Sequence, residues 1–282
     1  YFYRYSFFAA LLAKCFGKKT YFTGGIDSLD SDYASAFNYK IQALFFKLCY
    51  WVADSCIIVS QSDLKNIFKV SSLKKKLSYS EHVINTKLFI ADVPKEKIFT
   101  SIVWMGDEGN VVRKGVDKAL RIFAELKKIP EFVDYRFVII GRKGEGEVLV
   151  RSIIDKYNLK GSVELKGEVS EEDKINLLKQ SKYYFQLSLY EGFGLAALEA
   201  LCANNIIIHS GKGGLANPIY KEQLLFDIDN DFDSELLKLV NKLACFTPIT
   251  SYDNLLEYYD IQRRKDDFEA IIVNGKSNYK LK

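Results

Sequence analysis

Histidine is nearly absent from this chain, and so is any cysteine pattern that could hold a metal. Only two histidines occur, His82 and His209. Neither lies in a metal-ligand motif, so a catalytic zinc or a serine–histidine–acid triad has little to build on. The five cysteines, at 15, 49, 56, 202 and 245, are odd in number and lack the close spacing of zinc or redox motifs. Free thiols in a reducing, cytoplasmic compartment are the simplest reading. There are four prolines, no repeats and no low-complexity segments. Long apolar runs are missing too. Residues 41–60 are interrupted by Lys47 and Asp54, and residues 6–16 are too few to span a bilayer. No signal peptide is recognisable. Charge of one sign is also lacking: 40 Lys and Arg against 36 Asp and Glu leave +4, too small and dispersed to argue for nucleic acid.

What is present is an ordinary globular composition, 48% apolar and 27% charged over 282 residues, enough for one to three domains. From Thr100 onward strand and helix patterns alternate. Strands are expected at 102–105, 137–140, 163–165, 183–187 and 206–208, with helices at 115–128, 148–157, 171–180 and 194–203. Ser170 caps the third of these, with acids in its first turn. Such alternation implies an α/β protein with a parallel, doubly wound sheet. The first part differs. Residues 19–23 and 56–60 are strand candidates, 37–52 a strongly apolar helix, and 74–94 an irregular connection. Hinges are expected near 89–98 and 251–262.

The sharpest motif is Glu191-Gly192-Phe193-Gly194-Leu195, running through an apolar helix to Glu199. It follows an expected strand. In a doubly wound sheet, ligands bind beyond the carboxyl ends of strands. Gly192 and Gly194 let backbone N–H groups approach a ligand, and the helix N-terminus favours a negative group such as phosphate. Glu199 is a lone carboxylate in an apolar helix and needs donors to satisfy it. A ribose diol would supply two. Pairing with a buried Arg, Lys or backbone amide is the alternative. Arg113-Lys114-Gly115 opens a helix after another strand, where cations could neutralise a diphosphate; a solvated basic loop is the plainer reading. Gly141-Arg142-Lys143-Gly144-Glu145-Gly146 follows a strand without dinucleotide spacing, and a flexible turn accounts for it equally well.

Residues 100–218 resemble the donor domain of the retaining GT-B glycosyltransferases of the glycogen-synthase-like and mannosyltransferase-like group. The resemblance rests on Glu191 and Glu199, separated by seven residues in their Glu-Gly-Phe-Gly setting, on Lys114-Gly115, and on the glycine pair Gly213-Gly214. It implies two Rossmann-like doubly wound lobes facing a cleft. It also implies a hexosyltransferase that moves a sugar, with retention, from a nucleotide-diphosphate sugar to a saccharide or lipid-linked acceptor in polysaccharide or glycoconjugate biosynthesis. Glu191 would lie near the transferred sugar, with Lys114 neutralising the diphosphate. Gly192, Phe193, Gly194 and Leu195 would contact sugar and phosphate, and Glu199 would hold the ribose. Arg113, Gly106 and Arg142 complete the donor side, and Gly25 and Asp27 stand on the acceptor side. No metal or cofactor is expected, and no nucleic-acid partner.

Two departures stand out. Gly106 is followed by Asp107, where the family has Gly-Arg. Leu215 to Pro218 replaces an acidic helix start. The competing readings are a nucleotide-sugar epimerase and a non-catalytic nucleotide-sugar-binding subunit. The expected lobes are 1–98 on the acceptor side and 99–262 on the donor side, with a tail over 263–282 that packs back on the first. Residues 1–98 offer two strands and a third near 77–84, fewer than a doubly wound lobe uses, and the chain opens on Tyr1. The first lobe is therefore expected to be N-terminally incomplete, leaving an unpaired edge or an exposed apolar face at 19–23, and transfer to be poor. Phe7, Phe8, Leu11, Leu12 and Phe16, with Lys14, Lys18 and Lys19, read as a core helix. The other reading is a basic amphipathic face in peripheral contact with the cytoplasmic side of a membrane.

Overall fold

The computed structural model describes residues 4–25, 29, 34–70, 75–90, 93–246 and 253–275. These fall into two compact units. The first holds residues up to 84, residues 191–193 and residues from 258; the second holds 85–190 and 194–257.

Unit 1 begins with α1 (Arg4–Cys15), β1 (Tyr21–Thr23), α2 (Ala36–Val52), β2 (Ser55–Ile58), α3 (Gln61–Val70) and β3 (Leu77–Tyr79). Its strands form a parallel sheet in the order β1-β2-β3. Among the described residues β1 pairs with β2 alone. The core gathers Phe22, Phe46, Cys49, Cys56, Ile58 and Ile67. Burial pushes the Cys49 thiol up to about 11 and the Cys56 thiol up to about 12. Lys14 pairs with Asp54 at 2.7 Å, pinning the end of α1 beside the start of β2.

Unit 2 runs β4 (Glu96–Ile102), α4 (Glu108–Arg113), α5 (Val116–Leu126), β5 (Arg136–Ile140), α6 (Glu147–Lys156), β6 (Val163–Gly167), α7 (Glu171–Gln180), β7 (Ser181–Gln186), α8 (Leu195–Cys202), β8 (Ile206–His209), β9 (Leu224–Leu225), α9 (Phe232–Cys245) and α10 (Asp253–Tyr258). Its six strands are all parallel, in the order β6-β5-β4-β7-β8-β9. Counting from the unit's first strand, that is the 3-2-1-4-5-6 order of a doubly wound sheet. The strand order reverses between β4 and β7, the place where such sheets bind ligands. Phe99 anchors the core there, its ring stacked on Tyr183 (4.6 Å) and Phe185 (5.0 Å).

After α10 the chain forms α11 (Ile261–Ile272), which groups with unit 1. Buried Glu81 accepts hydrogen bonds from the Tyr79 hydroxyl and, at 3.1 Å, from the Tyr259 hydroxyl. Ser80 donates to Asp267 (2.8 Å), which also pairs with Arg263. These ties move both expected boundaries. The first division falls at 84/85 rather than 98/99, because Ile84 bridges Asp260 in unit 1 while Lys95 joins unit 2. The second falls at 257/258 rather than 262/263, because Tyr259 already belongs with Glu81. A further correction concerns the first strand of unit 2. It spans 96–102 instead of 102–105, since Phe99 and Thr100 are the residues registered on β7 and residues 103–105 continue as a loop. Among the described residues no helix is long and apolar enough to cross a membrane.

Candidate functional site

The loops leaving β4 and β7 at the reversal are locked together. Gly115 adopts φ +70°, and a Cβ there would lie 2.0 Å from the Leu187 carbonyl oxygen. Only glycine fits that approach. Leu189 N–H donates to the Arg113 carbonyl at 2.8 Å. Arg113-Lys114-Gly115, expected as a loop, is instead the junction of two helices. Arg113 closes α4, Lys114 is its C-cap, and Gly115 is the N-cap of α5. The Lys114 side chain is half-buried.

Asp107 has a structural explanation. It is the N-cap of α4, its carboxylate accepting from Asn110 N–H at 2.6 Å. Asn110 in turn accepts from Arg113 Nε (3.2 Å) and Nη2 (2.6 Å), and its amide donates to the Trp104 carbonyl. The acid that stands in place of the family's arginine thus orders the helix that carries Arg113. Gly106 accepts from Glu145 N–H at 3.1 Å, and Met105 N–H donates to the Arg142 carbonyl at 2.9 Å. A Cβ on Gly144 would come within 2.5 Å of the Met105 carbonyl oxygen. The glycines of 141–146 therefore serve loop-to-loop packing rather than flexibility. The Arg142 side chain is exposed.

Beyond β7, Gly194 takes φ 87° as the N-cap of α8, and its carbonyl accepts from the Tyr220 hydroxyl at 3.3 Å. Leu195 opens the helix and is exposed. Glu199 has a partner, the lysine that the alternative reading named. Lys174 Nζ on α7 lies 3.0 Å from Oε1 and 2.9 Å from Oε2, and 2.8 Å from Glu171. Burial raises the Glu199 pKa, and the hydrogen bond and charge of Lys174 only partly offset it. Burial also opposes the Lys174 charge, but Glu171 and Glu199 outweigh it and hold the ammonium above its usual range. A cation straddling both oxygens leaves the outer lone pairs of the carboxylate open to further donors.

Residues 191–193 group with unit 1. Glu191 and Gly192 are half-buried there. Phe193 is buried, its ring edge-on to His82 (5.4 Å) and near Tyr259 (6.2 Å). Gly25 follows β1 and is half-buried, whereas Asp27 lies outside the described residues. Gly213 and Gly214 open a short 3-10 turn after β8. Three contributors escaped the sequence reading. Lys174 and Tyr220 reach Glu199 and Gly194 across the fold. Lys95, whose pKa burial pushes down to about 8, donates to the carbonyls of Lys179 (2.8 Å) and Ala203 (2.5 Å) at the ends of α7 and α8. None of these pairings has a local signature.

A parallel sheet with a bound loop pair at its reversal is the donor-domain pattern of GT-B glycosyltransferases, and the fold is of that type. HepE from Anabaena, solved with UDP, superposes with TM-score 0.73 at 13% identity, over 95% of this chain and 76% of that one. Residues 109–244 match the model of the family described as glycosyl transferases group 1. Residues of the chain are 32% identical to GDP-mannose:cellobiosyl-diphosphopolyprenol alpha-mannosyltransferase of Xanthomonas oryzae pv. oryzae over 163 positions, 50% of this chain and 40% of that protein. They are 30% identical to one component of human phosphatidylinositol N-acetylglucosaminyltransferase over 105 positions, 37% of this chain and 21% of that one. The matches thus span less than half the length of either relative.

Proposed function

We propose that this chain is the donor-binding part of a glycosyltransferase that takes a hexosyl group from a nucleotide-diphosphate sugar and passes it, with retention, to a saccharide or lipid-linked acceptor. The observation that carries the reading is the joined loop pair at the sheet reversal, with the N-terminus of α8 and the acid Glu199 just beyond it. On this reading Glu199 accepts from the ribose hydroxyls through its outer lone pairs. Lys114, with Arg113 held by Asn110, neutralises the diphosphate. The backbone of Gly106 and of residues 192–195 lines sugar and phosphate, and Arg142 belongs to the donor side. Glu191 faces the transferred sugar. Charge on the leaving diphosphate grows in the transition state, so a fixed cation lowers the barrier more than it strengthens binding. Side-chain cations and the α8 N-terminus would then do this without a metal.

The named relatives act on a polyprenyl diphosphate sugar and a phosphatidylinositol, which favours a lipid-linked acceptor in glycoconjugate assembly at the cytoplasmic face of a membrane. The non-catalytic subunit remains the second reading, because Asp107 stands where the family has a cation. Incubating the chain with a panel of nucleotide sugars, with and without acceptor, tests the two. Acceptor-dependent release of nucleotide diphosphate supports transfer; binding without release supports the second reading. Lys114→Ala should lower turnover at least tenfold or so while nucleoside binding changes little. Equal losses in both would contradict the leaving-group role.

A further inference from the structure

Lys174 and Glu199 join α7 to α8 within unit 2, and each side chain is only 16% exposed. An ammonium carries three N–H groups. Lys174 Nζ lies 3.0 Å from Glu199 Oε1, 2.9 Å from Oε2 and 2.8 Å from Glu171. Its three donors therefore meet three acceptors, and none is left for a ligand. Glu171 stands one turn earlier on α7 and is 68% exposed, so it steers the ammonium from the solvent side. The two helices are tied again at their far ends. There Lys95 and Asn205 donate to the last carbonyls of α7 and to the Ala203 carbonyl after α8.

A carboxylate in an apolar helix meets two penalties. Burial disfavours its charge, and rotation about its last torsion spreads its lone pairs. A cation straddling both oxygens opposes both. We propose that Lys174 is a positioning residue for the nucleotide donor: it holds Glu199 charged and in one orientation, with the outer lone pairs toward the ribose hydroxyls, and itself makes no contact with the ligand. The inference rests on Glu199 being the ribose acceptor. A donor that covers the site expels water and deepens the penalty on a lone carboxylate, and the fixed ammonium offsets it there.

The pH dependence of binding separates this role from a merely structural one. Burial raises the Glu199 pKa, Lys174 lowers it, and Glu171 raises it further. Beneath α8 lie β7 and β8, whose titratable groups are Lys182, Tyr183, Tyr184 and His209. Burial pushes Tyr183 up and His209 down to about 4. On α8 itself it pushes Cys202 up to about 12, and at the far ends it leaves Lys95 at about 8. Between about pH 5 and 7, then, the protonation that Lys174 controls is that of Glu199. Without Lys174 the carboxyl takes up its proton at higher pH, and the ribose loses its charged acceptor sooner as pH falls.

Lys174→Met keeps the length of the side chain and removes its charge. The probe is UDP-glucose, GDP-mannose or ADP-glucose, whichever the parent chain binds, followed by calorimetric titration. The phosphates of such a donor do not titrate in this range. The variant should bind about tenfold or more weakly near pH 7. Its affinity should also break at a higher pH than the parent's. Lys174→Gln, which keeps a donor without the charge, should show the same shift and serves if the apolar variant does not fold. Lys174→Arg should restore the parent profile. With Glu199→Gln beneath it, Lys174→Met should show no break, since no carboxyl is left to titrate. A loss equal at every pH would overturn the proposal, because it would mark Lys174 as packing alone. Unchanged affinity in Lys174→Met would overturn it while leaving the ribose role of Glu199 intact. A parent chain that binds no donor would overturn both.

Discussion

An acid where a family carries a base usually signals a lost contact, yet at residue 107 it supplies a different one. Asp107 caps α4, and through Asn110 it steadies Arg113. Asp107→Ala should destabilise unit 2 by about 1 kcal/mol, read as a lower urea midpoint, and loosen Arg113 with it. No change in midpoint would mean the cap contributes nothing. His209 is a second residue-scale test. Burial pushes its pKa from 6.5 to about 4, against a weaker opposing hydrogen bond at Tyr220. The unfolded chain gains this proton as pH falls through 6.5, whereas the folded chain resists until about 4. Stability should therefore fall as pH drops across that window, with His82, also at about 4, adding to the slope. In urea titrations His209→Phe should flatten the pH dependence whatever it does to stability itself; an unaltered slope would contradict the buried neutral imidazole.

The elements of unit 2 depend on close backbone approaches that tolerate little change. Gly115→Ala sets a Cβ against the Leu187 carbonyl and holds a positive φ without glycine. A loss of several kcal/mol, or separation of the two loops, should follow. The checks are thermal unfolding and nucleotide binding, which should fall together; an unperturbed variant would mean the loops are not joined as described. Much of this unit was legible in the sequence. The Ser170 cap, the buried strand at 137–140 and the turn into α8 all follow from local chemistry. The start of β4 was not, because Glu96 and Lys97 carry no apolar signal and register is set by β7. Nor was the Lys174–Glu199 pair, whose members are 25 residues apart in sequence. The Glu191–Glu199 motif carried the family resemblance, but not where its residues would group. Phe193 packs on His82 and Tyr259, residues far from it in the chain.

At the scale of the whole molecule, one unit carries a complete six-stranded doubly wound sheet and the other a three-stranded sheet among its described residues. Sequence alternation could announce the first. It could not announce that α11 joins the second, since that follows from Ser80, Glu81 and their long-range partners. The family match lies over 109–244, and donor binding is expected there. Calorimetric titration of the chain with UDP-, GDP- and ADP-sugars, repeated on Glu199→Ala, tests it most directly. One nucleotide sugar should bind at a single site, and the folded variant should bind it at least about tenfold more weakly, as expected for a lost charged acceptor. Binding of none of them, or equal affinity in the variant, would contradict the account.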